Sequence, residues 1–166
     1  MTVAGPVGAG RRAGRVAVAV AAQTRAAALD PCSSTSEERL LDLYRGAGDS
    51  AGMLSALEGA VHRCPRGLGS RNDLAWFLAV VDDPQLRDGR RALTLAETLP
   101  GDDPRFLATR AAAEAELGDF EQATALMQRA LEGAEASHEA SFRQQLNQYA
   151  VRNPWRETAA SAETGP

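Results

Sequence analysis

Two Gly-Asp dipeptides, Gly48-Asp49 and Gly118-Asp119, each lie between segments whose apolar residues recur every three or four positions. That spacing is the period of an amphipathic helix, and a glycine followed by an aspartate can end one helix and begin the next. The two dipeptides are 70 residues apart, which is twice 34 plus two, and Pro31 and Pro65 are 34 residues apart. A pattern that recurs at a fixed spacing of this size is typical of stacked helical hairpins.

A further hairpin is predicted between these two. Its first helix carries an apolar stripe that includes Leu74 and Leu78 and ends at Asp82-Asp83-Pro84, because proline cannot continue a helical hydrogen-bond ladder. Its second helix runs toward Pro100-Gly101. The connection between the two helices is about five residues longer than the Gly-Asp turns, so we interpret it as a looped-out variant of the same turn.

The composition favours helices. Alanine supplies 33 of the 166 residues, isoleucine and lysine are absent, and aromatic residues make up 5%. Strand-forming residues are therefore scarce and helix-forming residues are abundant. We predict one all-α domain, an α-α superhelix of about three hairpins followed by a C-terminal capping helix.

Small residues recur at fixed places in the predicted hairpins. Alanines occupy both the first and the second helices, and a proline closes one unit: Ala75, Ala111, Ala60, Ala123, Ala130 and Pro65. Together with the Gly-Asp turns, they resemble the tetratricopeptide repeat (TPR) family over residues 34–156, in a subtype common in multidomain bacterial proteins. The resemblance implies a concave groove, lined by the first helix of each hairpin, that holds an extended peptide or a partner helix.

The ends of the chain differ from the repeats. Residues 1–33 form a basic, Ala/Val-rich arm, in which 11–29 is either the second helix of an incomplete hairpin or a segment without fixed structure. Residues 34–137 contain the hairpins. Residues 138–156 form the capping helix, with Ser137 as its N-cap and Trp155 folded back on the last hairpin. We expect residues 157–166 to be disordered.

The TPR geometry places seven residues toward the groove, and they are Glu38, Asp42, Arg45, Asn72, Trp76, Arg105 and Ala108. Asn72 either binds a peptide backbone or caps its helix. Trp76 is either an aromatic anchor for a ligand or a packed residue beneath the 82–88 connection. Arg105 is expected to pair with a ligand carboxylate. These residues predict a non-catalytic scaffold for another protein or peptide, the alternative being a structural spacer within a larger protein.

Several classes of function are disfavoured. The net charge of −4 and pI of about 5.2 argue against nucleic acid. The longest apolar run, 16–22, is too short for a membrane span, and it makes a poor signal peptide although arginines precede it. We therefore predict a cytoplasmic protein, with secretion as the less favoured alternative.

The sequence also lacks the motifs of catalysis. It contains no Gly-rich phosphate loop, no GxSxG and no HExxH. Cys32 and Cys64 lack further ligands at metal-binding spacing, so we expect two free thiols and no metal. We predict no enzymatic activity and no cofactor. Self-association through an unpaired edge at residues 11–61 remains open.

Overall fold

The described part of the chain is all α-helical. The computed structural model describes the backbone of residues 6–157 and the side chains of residues 14–157. Eight helices lie within these residues: α1 (Pro6–Leu29), α2 (Ser34–Ala47), α3 (Ser50–Arg63), α4 (Leu68–Val80), α5 (Gly89–Ala96), α6 (Pro104–Glu116), α7 (Phe120–Glu132) and α8 (Ala136–Ala150). The predicted all-α class is confirmed.

Gly48-Asp49 and Gly118-Asp119 form the same turn. Gly48 and Gly118 have φ angles of 68° and 88°, in the left-handed region that glycine adopts most readily. The amide of the following aspartate donates to a carbonyl five residues earlier, which satisfies the end of the preceding helix. The carboxylates of Asp49 and Asp119 then accept from the amides of Gly52 at 2.8 Å and Gln122 at 3.0 Å. Each dipeptide thus closes one helix and caps the next, as predicted.

The middle connection uses an aspartate cap without the glycine. Asp88 caps α5 by accepting from the amide of Arg91 at 2.9 Å. Its own amide donates to the carbonyl of Leu78 at 3.0 Å, which ties the longer connection to the end of α4. The Arg87 guanidinium donates to the carbonyls of Val81 and Asp82, both at 2.8 Å. The predicted longer turn is therefore held in place by hydrogen bonds.

Most helix packing follows chain order. Each helix packs on the next one along the chain, and in addition α4 packs on α6. This order is compatible with stacked hairpins whose first helices are neighbours. None of the described helices combines the length and the apolar character needed to cross a bilayer.

Small residues permit the close helix contacts. The repeated alanines are all buried, and they are Ala60, Ala75, Ala111, Ala123 and Ala130. Two apolar clusters fill the remaining space, one centred on α3 and α4 and the other on α6, α7 and α8. Trp155 contacts both clusters, which confirms that it folds back on the helices.

The cysteines were predicted to be free, and this prediction is wrong. The sulfur atoms of Cys32 and Cys64 form a disulfide, with Cα atoms 5.3 Å apart. Cys32 lies just before α2, and Cys64 is the C-cap of α3. Both helices have 14 residues, so an antiparallel hairpin returns the chain to the level at which it began. The two ends of the hairpin therefore meet.

The chain ends differ in detail from their predictions. Helix α1 begins at Pro6 rather than Arg11 and packs on α2, whereas its membership of an incomplete repeat stays a prediction. Helix α8 begins at Ala136, so Ser137 lies inside the helix and is not its N-cap. Glu157, which was assigned to a disordered tail, forms a β-bridge with Val81. The rest of that predicted tail, residues 158–166, lies outside the described residues.

Candidate functional site

The first helices of the three hairpins, α2, α4 and α6, carry the predicted site, and we call their shared surface the first-helix face. Two side-chain hydrogen bonds join these helices. Ser70 Oγ of α4 donates to Glu37 Oε2 of α2 at 2.7 Å. Thr109 Oγ1 of α6 donates to Asn72 Oδ1 of α4 at 2.7 Å, and both residues are buried. Hydrogen bonds therefore link α2 to α4 and α4 to α6, and of these two pairs α4 and α6 pack closely on each other.

The seven predicted groove residues divide into two groups. Glu38, Asp42 and Arg105 are exposed, and Arg45 is partly exposed. The other three are buried, with exposed fractions of 5% for Asn72, 8% for Trp76 and 0% for Ala108. Their predicted exposure to an open groove is wrong.

Packing of α6 on both sides explains the burial of Asn72 and Ala108. Ala108 lies in the apolar cluster of α6, α7 and α8, whereas Asn72 lies in the contact between α4 and α6. Asn72 lies inside α4, whose N-cap is Gly67, so it does not cap the helix either. Its amide oxygen accepts the Thr109 hydroxyl, which satisfies a polar group within the interface. Asn72 therefore fixes the α4–α6 contact.

The two basic residues among the seven predicted groove residues already have acidic partners. Arg105 Nη2 lies 3.0 Å from Asp103 Oδ2, and Asp103 is also the N-cap of α6. Arg45 pairs with Asp42 one turn earlier on α2. Arg105 was expected to bind a ligand carboxylate, but in the structure Asp103 takes that place.

One end of the first-helix face is acidic, and sequence reasoning missed its central residue. We call Glu37, Glu38 and Asp73 the acidic end. Burial, reinforced by the charges of Glu37 and Glu38, raises the pKa of Asp73 to about 6. Burial also raises the pKa of Glu37, although the Ser70 hydroxyl and the charge of Arg63 oppose this. Within residues 14–157, no salt bridge reaches any of the three carboxylates.

A sequence signal for the acidic end exists. Asp73 follows Glu38 by 35 residues, close to the 34-residue spacing of the repeat. Superimposing successive first helices at that spacing brings these two carboxylates to neighbouring positions.

The other end of the first-helix face is covered by residues 153–157, which we call the strap. The amide of Glu157 donates to the carbonyl of Val80 at 2.9 Å, and the amide of Asp82 donates to the carbonyl of Glu157 at 3.2 Å. The indole N–H of Trp76 donates to Glu157 Oε2 at 3.1 Å, and that of Trp155 donates to Oε1 at 3.3 Å. Trp76 is therefore a packed residue, as the alternative held, but its indole is hydrogen-bonded to the strap and not to the 82–88 connection under which it was predicted to lie.

A partly buried ion-pair network supports the strap. Glu116, at the end of α6, pairs through Oε1 with Arg87 Nε at 3.2 Å and through Oε2 with Arg156 Nη2. Arg156 also donates to the carbonyls of Trp155 and Ala79. One carboxylate thus connects the 81–88 connection, α6 and the strap.

Comparison with known proteins does not identify the chain. No protein-family model matches it, and no curated protein matches it.

Proposed function

We propose that the protein is a non-catalytic interaction scaffold that binds an extended, basic segment of a partner protein at the acidic end of the first-helix face. The observation that carries this proposal is the environment of Asp73. Its carboxylate is partly buried, has two acidic neighbours, accepts a long hydrogen bond from Asn72 Nδ2 at 3.4 Å and has no salt-bridge partner within the described residues.

Electrostatics explains why such a site favours a cation. At neutral pH Asp73 is mainly ionised, because its pKa is about 6. A partly buried charge without a salt-bridge partner costs free energy, and an arginine or lysine from outside lowers that cost. The charge of Arg105 attracts Asp73, but its guanidinium pairs with Asp103 and forms no salt bridge with Asp73. An arginine or lysine of a partner can therefore form a salt bridge with Asp73.

The TPR interpretation supports this choice of surface. The repeated Gly-Asp turns and the buried alanines favour a stack of about three TPR-like hairpins, in which the first helices line the binding groove. Glu38 and Asp42, both predicted groove residues, extend the exposed negative charge along α2. Their charge repels acidic peptides and attracts basic ones.

Peptide binding to the full chain tests the proposal. The probes are two fluorescein-labelled dodecamers, one of alternating Arg and Ala and one of alternating Glu and Ala. We expect the wild type to bind only the basic probe, and Asp73→Asn to weaken that affinity about three- to tenfold. Glu132→Gln, on the exposed side of α7, is the matched control. Equal affinities for the two variants would overturn the proposal.

The spacer role is the second candidate, and one observation favours it. Three of the seven predicted ligand contacts, Asn72, Trp76 and Ala108, are interior and leave little apolar surface for a partner. If neither dodecamer binds the wild type, the spacer role becomes the better interpretation.

The disulfide bears on the compartment. Structural disulfides persist in oxidising environments and are rare in the cytoplasm. The Cys32–Cys64 bond therefore favours an oxidising compartment over the predicted cytoplasmic one. Alkylation of cysteines in acid-quenched native lysates, followed by mass spectrometry, distinguishes the two compartments. Cysteines that are alkylated only after reduction indicate the oxidising compartment.

Self-association through the N-terminal edge also remains a proposal. Val18 and Leu29 of α1 are exposed apolar residues, which supports an edge that can receive a second copy. Light scattering before and after deletion of residues 1–31 tests it, with a dimer expected only before the deletion.

A further inference from the structure

The last two residues of the strap, Arg156 and Glu157, both form specific polar contacts with the helices. The Arg156 guanidinium meets the Glu116 carboxylate, and the Glu157 carboxylate meets the Trp76 indole. The backbone of Glu157 is bonded on both sides, to Val80 and Asp82 at the end of α4. An extended Arg-Glu dipeptide thus finds a complementary partner for its guanidinium, its carboxylate and its backbone.

The strap is held by the side chains of Trp155 and Arg156 but follows α8 through a strained residue. Arg152, directly after α8, has φ of 58°, a left-handed conformation that costs a non-glycine residue about 1 kcal/mol. Asn153-Pro154 follows, and Val81–Glu157 is an isolated bridge rather than part of a sheet. Because no described helix includes the strap, local opening can release it while the helices stay folded.

The hydrogen bonds to the Glu157 carboxylate are weak enough for a carboxylate of another peptide to replace it. Both donors to its carboxylate are neutral indoles, and no salt bridge within residues 14–157 reaches it. Burial raises the pKa of Glu157, so its ionised form is held at a cost. A carboxylate held in this way is displaced more easily than one held by an arginine.

We propose that the carboxyl end of α4 is a binding surface for an extended partner peptide with the sequence pattern aromatic-Arg-acidic, and that the strap occupies it in cis as a competitor. The partner's backbone pairs with Val80 and Asp82, its arginine pairs with Glu116, and its carboxylate accepts from Trp76. The partner's aromatic residue takes the place of Trp155.

This proposal goes beyond the binding of a basic segment, because it concerns the opposite end of the first-helix face and other residues. Neither Asp73 nor Glu37 takes part in it. The result of one test therefore does not decide the other.

The test uses the full chain with the strap charges reversed, Arg156→Glu with Glu157→Arg. Exposed residues of α7 provide a matched control with the same net change, Arg129→Glu with Glu132→Arg. The probe is a fluorescein-labelled hexapeptide with the sequence of residues 153–158, and the control peptide exchanges its Arg and Glu. We expect the strap variant to bind the probe at least tenfold more tightly than the wild type or the control variant, and not to bind the exchanged peptide.

A second measurement uses the wild type. The chain has only two tryptophans, so its ¹H–¹⁵N spectrum has two indole N–H signals. Excess unlabelled probe is expected to move the Trp155 signal toward that of an exposed indole.

Four outcomes would overturn the proposal. These are loss of helical circular dichroism in the strap variant, binding of neither peptide, equal binding of both, and a dimer of the variant by light scattering. Loss of helical circular dichroism would show that the strap is part of the fold. A dimer of the variant would show that the surface at the end of α4 binds the strap of a second copy.

Discussion

The N-terminal part of the molecule, α1 to α3, and the C-terminal part, α4 to α8, are stabilised by different means. Helices α4 and α6 each bury eight residues, whereas α2 buries two and the described side chains of α1 include one buried residue, Ala27. The only disulfide of the chain lies in the thinly packed part. A covalent bond therefore supplements packing where burial is small.

The size of the covalent contribution can be compared with packing. Cys32 and Cys64 are 32 residues apart, and closing a loop of that size in the unfolded chain contributes about 3–4 kcal/mol. Burial of one or two large apolar side chains contributes a similar amount. The disulfide thus replaces roughly one pair of core residues in the α2–α3 hairpin.

The largest effect is expected when a leucine is truncated in each part. Leu78 of α4 is 1% exposed and Leu40 of α2 is 4% exposed. We expect Leu78→Ala to lower the free energy of unfolding by about 4–5 kcal/mol and Leu40→Ala by about 2–3 kcal/mol, because the thinner part can relax around the cavity. Urea denaturation measures both values. Equal losses would contradict the comparison.

A smaller effect is expected from overfilling the densely packed part. Ala123 of α7 has no exposed surface, so Ala123→Leu should cost about 1–3 kcal/mol. Ala125 is exposed on the same helix, and Ala125→Leu is the matched control, with a change within about 0.5 kcal/mol. Thermal denaturation followed by circular dichroism compares the two. If Ala123→Leu destabilises the protein no more than Ala125→Leu does, the close approach of α6 and α7 is not required.

The smallest effect concerns Asp73, which lies where the two parts meet. Its pKa is about 6 in the folded protein against an ordinary value of 3.8, so the folded state binds the proton more tightly. Its stabilising effect is present below about pH 4 and is lost as pH rises through 6. We expect Asp73→Asn to raise the free energy of unfolding by about 1 to 2 kcal/mol at pH 7. Near pH 4 we expect the variant and the wild type to be equally stable, because Asp73 is then protonated in the folded state. A pH-independent difference between the variant and the wild type in urea denaturation would show that Asp73 is not buried in this way.

The sequence was most informative where the structure is local. Gly48-Asp49 and Gly118-Asp119 act within a few residues, because the glycine needs a left-handed backbone and the aspartate caps the next helix. The buried alanines follow from helical spacing in the same way. Local chemistry of this kind can be predicted without knowing what lies opposite.

The candidate site was less predictable because it depends on distant contacts. Trp76 and Glu157 are 81 residues apart in the chain, and no periodicity points from one to the other. Asn72 was placed at a surface because helical spacing gives the direction of a side chain but not how closely the neighbouring helix approaches. The disulfide was missed although its two cysteines flank a hairpin of equal helices, a spacing that does bring its ends together.

Hydrogen exchange of the oxidised and reduced protein tests most directly whether the two parts are stabilised by different means. On reduction of the Cys32–Cys64 bond, we expect the amides of α2 and α3 to exchange faster, with α1 following, while those of α4 and α6 keep their protection. Equal loss of protection in all helices would contradict the account, as would reduction that leaves α2 and α3 unchanged.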